Sequence, residues 1–296
     1  MKVAELIKVR RKAEDPAESW ESPYTEREGG FYFRGIYAGH PYIPRTQEDL
    51  PAGAWELLKD QCGVKTLQQL LVIPPSVRST GLGTGKVITP LEILALGGRA
   101  VGLWTEKPEP GIRVTIGLDE LAGVEDVQIL LYGRLSFLSS ARRVTIRYNL
   151  VCRRMMEPAL LELRKKVAGP RLKVPCEPPQ SPEIPFKWNF LLNIPFSTLD
   201  EGAPRVFRFQ AEPSRRRGRT RTGHLLILSP YELVLMRDPV KSLHPYGVDC
   251  FLIPRARIQG VSVGEAAAEI EANGARFQLA MPPSLLQALK DWSLTP

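Results

Sequence analysis

Residues 229–236 read SPYELVLM, and residues 89–96 read TPLEILAL. Both run hydroxyl, proline, large residue, glutamate, then apolar side chains. Proline presets the backbone for a tight turn, and the glutamate opens a return strand. The match is not alone. IGLDELAGV (116–124) parallels IPRARIQGV (253–261), with Gly and Val in register. LSFLSSARRVTI (135–146) parallels AEIEANGARFQL (268–279): Phe137 matches Ile270, Ala141 matches Gly274, and Val144 and Ile146 match Phe277 and Leu279. The three matches keep one order and drift by a few residues per loop, the pattern of a tandem duplication with strand cores kept and loops trimmed.

The second copy then resolves into elements. VFRFQ (206–210) is followed by HLLILS (224–229) and ELVLM (232–236), which are paired across the SPYE turn. CFLIP (250–254) and QGVSV (259–263) come next. AEIEA (268–272) and RFQLA (276–280) flank Asn273-Gly274, a pair that supplies the positive φ angles of a two-residue hairpin. A helix closes the copy. Ser284 and Gln287 have capping-box spacing, and Leu285, Leu286, Leu289 and Trp292 share one face. The first copy gives LLVIP (70–74), KVIT paired with EILAL across TPLE, then RVTIG, VQILL, RLSFL and RVTIRY. Its helix is expected near 157–167, with Pro158 in the first turn. Arg164 interrupts that helix's apolar stripe, so its aliphatic stem is expected to pack. Seven short strands curl most simply into a small, partly open barrel, and a helix with one apolar face closes the end.

Composition sets the bounds. The chain has 296 residues, 43 % hydrophobic and 24 % charged, which suits two globular domains. It has 27 prolines and 24 glycines, which favours many turns over a helical bundle. No apolar run is long enough for a membrane helix, and MKVAELIKVRRKAEDP does not look like a secretory signal, so a cytoplasmic location, peripheral at most to a membrane, is the expectation. Cys62, Cys152, Cys176 and Cys250 lack metal-ligand spacing and are expected as unpaired thiols. His40, His224 and His244 lie far apart. Neither a metal site nor a cofactor is expected.

With these elements in place, the chain resembles the pleckstrin-homology-like (PH-like) superfold, in particular its bacterial branch. The hydroxyl–turn–apolar hairpin appears at Thr89 to Ile93 and at Ser229 to Leu233. The Ile-Pro-x-x-x-Ile-x-x-Val stretch appears at Ile253, Pro254, Ile258 and Val261, and less fully at Ile116, Leu121 and Val124, where Gly117 replaces the proline. The resemblance covers about residues 65–168 and 195–294. It implies a mainly β fold with α: two tandem PH-like seven-stranded, partly open barrels, each capped by a C-terminal helix. The expected division is an N-terminal extension (1–62) partly ordered against the first barrel, a first domain (63–168), a proline-rich linker (169–185) and a second domain (186–296).

SRRRGRTR (214–221) falls between the first two strands of the second copy and holds Arg215, Arg216, Arg217, Arg219 and Arg221. Arginines pair bidentately with phosphate oxygens, and the resemblance implies a headgroup site in this loop, so these five are the anion-binding candidates. Arg205 and Arg208 do not clearly supply the alternating strand cations that the family's headgroup binders carry. The plainer reading is a hydrated hairpin tip. The matching loop of the first copy, STGLGTGK (79–86), lacks the span and the hydroxyl of a nucleotide loop and precedes a strand rather than a helix. FKWNFLLNIPF (186–196) is too apolar to float free, which makes Phe186, Trp188 and Phe190 candidates for packing or for partner docking. Asp119, Glu120, Glu125 and Asp126 have no metal-loop spacing, and no catalytic residues are marked. The function expected first is that of a non-catalytic binding or scaffolding protein, with another protein or a second copy as partner. Recognition of an anionic membrane surface through the arginine loop ranks second. Non-specific nucleic-acid binding ranks third, since no recognition helix or stacking pair is present.

Overall fold

A computed structural model of the chain describes residues 25–26, 41–79, 86–129, 132–149, 153–168, 205–209, 223–238 and 247–294. The first half holds β1 (Thr25–Glu26), α1 (Ala54–Cys62), β2 (Leu70–Ile73), β3 (Ser76–Ser79), β4 (Lys86–Thr89), β5 (Glu92–Leu96), β6 (Ala100–Thr105), β7 (Gly111–Gly117), β8 (Gly123–Ile129), β9 (Tyr132–Leu138), β10 (Arg143–Asn149) and α2 (Arg153–Ala168). The second half holds β11 (Arg205–Phe209), β12 (His224–Leu228), β13 (Glu232–Arg237), β14 (Gly247–Pro254), β15 (Ile258–Val263), β16 (Ala267–Ala272), β17 (Ala275–Ala280) and α3 (Pro283–Ser293).

Among the described residues these strands form four sheets, ordered β1-β4-β3, β2-β5-β6-β7, β10-β9-β8-β14-β13-β12-β11 and β15-β16-β17. None of these closes into a barrel, and with the three α-helices among the described residues the fold is mixed α and β. The two separate seven-stranded barrels expected from the sequence are therefore not what forms. The one seven-stranded sheet takes three strands from the first half and four from the second, joined where β8 pairs antiparallel with β14. Alternation and turn residues say that a segment is extended, but they do not say which edge it will meet.

Local readings fared differently. All seven strands expected in the second half are present, and β12 and β13 pair across the Ser229 turn. Ser229 Oγ accepts from the backbone N–H of Glu232 at 2.9 Å and of Tyr231 at 3.2 Å, which ties the turn. Asn273 and Gly274 have φ of 46° and 72°, as a two-residue hairpin turn requires. In the first half, KVIT does not pair with EILAL: β4 lies between β1 and β3, whereas β5 pairs with β2 and β6. β6, AVGLWT, was not foreseen. It is buried at every position, so it lacks the alternation that marks a half-exposed strand. Part of its cover is α1, whose Cys62 sits so close that a Cβ on Gly102 would lie 2.4 Å from Sγ. α2 begins earlier than expected, so Pro158 falls inside the helix instead of in its first turn. α3 starts at Pro283, so Ser284 is not its cap, and Gln287 instead donates to Asp291 Oδ1 at 2.7 Å.

The core explains the sheet's shape. Phe137, Val124 and Leu252 are cross-strand partners and share a face. On that face Leu135, Phe137, Val144, Ile146 and Tyr148 build the first core with Leu71, Leu94, Ile116 and the α2 residues Leu160 and Leu163. Side chains alternate along a strand, so Phe251 and Ile253 point the other way. There they join Leu226, Leu233, Leu235, Phe277 and the α3 residues Leu285, Leu289 and Trp292 in the second core. The sheet thus buries opposite faces at its two ends.

Three contacts lock the halves together. Ala122 and Leu138, from the first half, pack into the second core. Arg257 donates to the Leu118 and Asp119 carbonyls at 3.1 Å each, and Asn273 Nδ2 donates to those of Asp119 (2.7 Å) and Leu121 (3.2 Å). Arg164 of α2 forks onto Glu232, with Nε to Oε2 at 3.3 Å and NH2 to Oε1. That pair adds a partner for the Arg164 head group to the expectation that its stem packs. The residue interrupts its apolar stripe because its guanidinium meets a carboxylate that is 3 % exposed in the other half.

Candidate binding site: an arginine row across the central sheet

Cross-strand partners share a face, so register alone lines up side chains across the sheet. One row runs Arg147 (β10), Arg134 (β9), Val127 (β8), Asp249 (β14), Arg237 (β13) and His224 (β12). The next position along the strands adds Thr145, Ser136, Glu125 and Phe251, and the one after it adds Arg143. The row lies on the face of β8, β9 and β10 that is turned away from the first core. On these strands Leu135, Val144, Ile146 and Tyr148 go inward, so Arg134, Arg143 and Arg147 go outward.

Five of these groups form ion pairs in an uneven way. Glu125 accepts from both Arg134 (3.1 Å) and Arg143, whose side chains are 23 % and 34 % exposed. Arg237 directs Nε and NH2 to Asp249 Oδ2 at 2.9 Å each, and its guanidinium lies 5.2 Å from the Phe251 ring centre. Both donors use the same carboxylate oxygen, so Asp249 Oδ1 is buried with no hydrogen-bond partner among the described residues. Burial holds the Asp249 carboxyl above its ordinary range; Arg237 and Arg134 pull the other way, and Asp126 adds to the rise. Asp126 projects to the opposite face, where Tyr148 donates to it at 2.9 Å and Gln128 at 2.8 Å. Four arginines share this face with Glu125 and Asp249, and guanidinium offers five donors and no acceptor.

Other features rank below it. An apolar cleft lined by Leu71, Leu94, Leu96, Leu135, Met155 and Leu160 holds about 10 Å³, room for about one water molecule. Cys62 is buried and its thiol is pushed up to about 11, so it is a packing group and not a nucleophile. Among the described residues no cluster of potential metal ligands occurs, and no helix is long and apolar enough to cross a membrane.

The residues singled out from sequence, Arg215, Arg216, Arg217, Arg219 and Arg221 with Phe186, Trp188 and Phe190, lie outside the described residues. The arginine row was missed because it exists only through register. Its one sequence signal was RVTIRY, where Arg143 and Arg147 alternate with the inward Val144 and Ile146. No protein-family model matches the chain, and no protein of curated function matches it.

Proposed function

We propose that this chain is a non-catalytic binding protein that recognises an acidic surface of another protein through the arginine-bearing, half-buried face of β8, β9 and β10. The observation that carries the reading is the row Arg147–Arg134–Asp249–Arg237 together with Arg143, a gathering of arginines on a sheet face whose other side is core. Arginine is the cation best suited to such a surface, because its planar fork meets carboxylates and phosphates bidentately. The joint between the halves supports the reading too, since it holds β8 and β14 in one sheet and so fixes the spacing of the row.

A photo-reactive amino acid at position 145 sits between Arg143 and Arg147 on this face. In cells it is expected to cross-link to a protein, and Arg147→Glu is expected to remove that cross-link while circular dichroism stays unchanged. Added salt should weaken capture, because the attraction is screened over about 8 Å at physiological ionic strength. A cross-link insensitive to Arg147→Glu, or one to lipid or nucleic acid only, would sink the proposal.

A further inference from the structure

We infer that the chain associates head to tail with further copies of itself, through a ladder between β7 of one molecule and β15 of the next that repeats the internal β8–β14 joint. None of the residues involved belongs to the arginine row.

The joint is the template. The matched stretches 116–124 and 253–261 run from β7 into β8 and from β14 into β15. Two of these four strands, β14 and β8, pair with each other, with Leu252 opposite Val124. Their counterparts, β7 and β15, each end a sheet among the described residues. The counterparts agree in register as well as in sequence. Val124 lies opposite Phe137 and Val261 lies opposite Ile270, and both members of each pair are matched residues. Ile116 is in the first core, and its match Ile253 is in the second. Carried over to two molecules, the joint's register sets Thr115 of one opposite Val261 of the other, and Ile116 opposite Gly260. The backbone groups needed are turned outward. The Leu118 N–H donates to the Arg99 carbonyl at 2.8 Å, and that of Gly264 to the Ala267 carbonyl at 2.9 Å, so alternation directs Thr115 and Val261 away from β6 and β16.

Gly260 supports the same ladder independently. At the joint, a Cβ on Gly123 would lie 3.1 Å from the Leu252 carbonyl oxygen and 3.5 Å from Ile253 Cγ1, so the close approach of β14 favours glycine there. Gly260 is the match of Gly123, yet a Cβ on it would meet nothing within 4 Å, and its φ is not positive. The open space beside Gly260 is where the Thr115 carbonyl of a neighbour would sit. Arg142 guards the other edge. It is exposed, and its NH1 donates to the Thr115 carbonyl at 3.1 Å, so it competes with the Val261 N–H of a neighbour. The register of β7 on β6 shifts just beyond Val114, which ends the ladder there. A short ladder with a built-in competitor makes the association reversible. Because the two edges differ, each copy added leaves one of each kind free, so the assembly closes as a ring or runs on as a filament.

Sedimentation velocity on the full-length protein, from about 1 to about 200 μM, covers micromolar dissociation constants. Species larger than a dimer are expected to grow with concentration. Gly260→Val fits the open space of the single molecule, so melting temperature and circular dichroism should hold while association weakens at least about tenfold. Val261→Pro removes an N–H from the outer side of β15 alone and should weaken association likewise. Arg142→Ala should strengthen it about twofold or more, by freeing the Thr115 carbonyl. The inference is overturned if the parent and Arg142→Ala both stay monomeric at the highest concentration. It is also overturned if association persists unchanged in Gly260→Val and Val261→Pro, since a ladder elsewhere, such as an exchanged β8–β14 pair, would then hold the copies together.

Discussion

Replacing Arg164 with leucine would leave Glu232 charged and buried with its fork removed. The pair joins α2 of the first half to the first residue of β13 in the second, with side chains 10 % and 3 % exposed. A buried carboxylate that loses its partner costs about 3–5 kcal/mol, far more than a surface pair, because it cannot recover water. The expected loss for Arg164→Leu is therefore about 3–5 kcal/mol. In urea, with a slope of about 3 kcal/mol/M, the midpoint falls by about 1 M or more. The double variant Arg164→Leu with Glu232→Leu removes both charges together and should return to within about 1 kcal/mol of the parent. Trp292 is a local reporter, since its Nε1 donates to the Ser229 carbonyl at 3.2 Å in the turn that Glu232 closes. Its fluorescence should shift in the single variant before global unfolding and recover in the double one. A single-variant cost below about 1 kcal/mol would place the pair in the surface class, and a double variant no more stable than Arg164→Leu would show no coupling. Either result refutes the reasoning.

Gly133 lies opposite Tyr148, and a Cβ there would meet the ring at 2.4 Å, so Gly133→Ala should cost about 1–3 kcal/mol, read as a drop in melting temperature. Asn273→Ala removes both carbonyl contacts to the Asp119–Leu121 loop and puts alanine at a positive φ; hydrogen exchange should rise at 118–122 with about 1–3 kcal/mol lost. Asp249 contributes a pH slope of definite sign. Its folded carboxyl titrates above the ordinary 3.8, so the native state holds the proton longer, and the stability this lends is lost as pH rises above about 4. Asp249→Asn should flatten that fall in a urea series across the acidic range, whereas an unchanged slope would assign it to other groups.

What the sequence disclosed was local. The strand from Ala267 to Ala272 alternates buried and exposed side chains, and Asn273-Gly274 names its turn, so that hairpin could be read directly. Ala100–Thr105 and His224–Leu228 are buried throughout and carry no alternation; only HLLILS, tied to a recognisable turn, was found. The β8–β14 ladder joins residues more than a hundred positions apart, and neither strand carries a mark naming the other. Arg164 was a partial exception. Its charge in an apolar stripe flagged an anomaly, but its partner lay in the other half of the chain, beyond any local pattern. The arginine row shares this limit, since each strand supplies one or two of its members and only pairing assembles them.

The β8–β14 ladder runs from Val124↔Leu252 to Ile129↔Gly247, in the middle of the largest sheet. A chain cut between the halves would give two fragments, each with a raw hydrogen-bonding edge and an apolar lip, Ala122 and Leu138 on one and Phe277 on the other. Such fragments are expected to precipitate apart and to complement each other when co-expressed. The same ladder can also form between β8 of one molecule and β14 of another, giving an exchanged dimer without any new surface. Each half depends on the other to cover the edge it presents at this ladder.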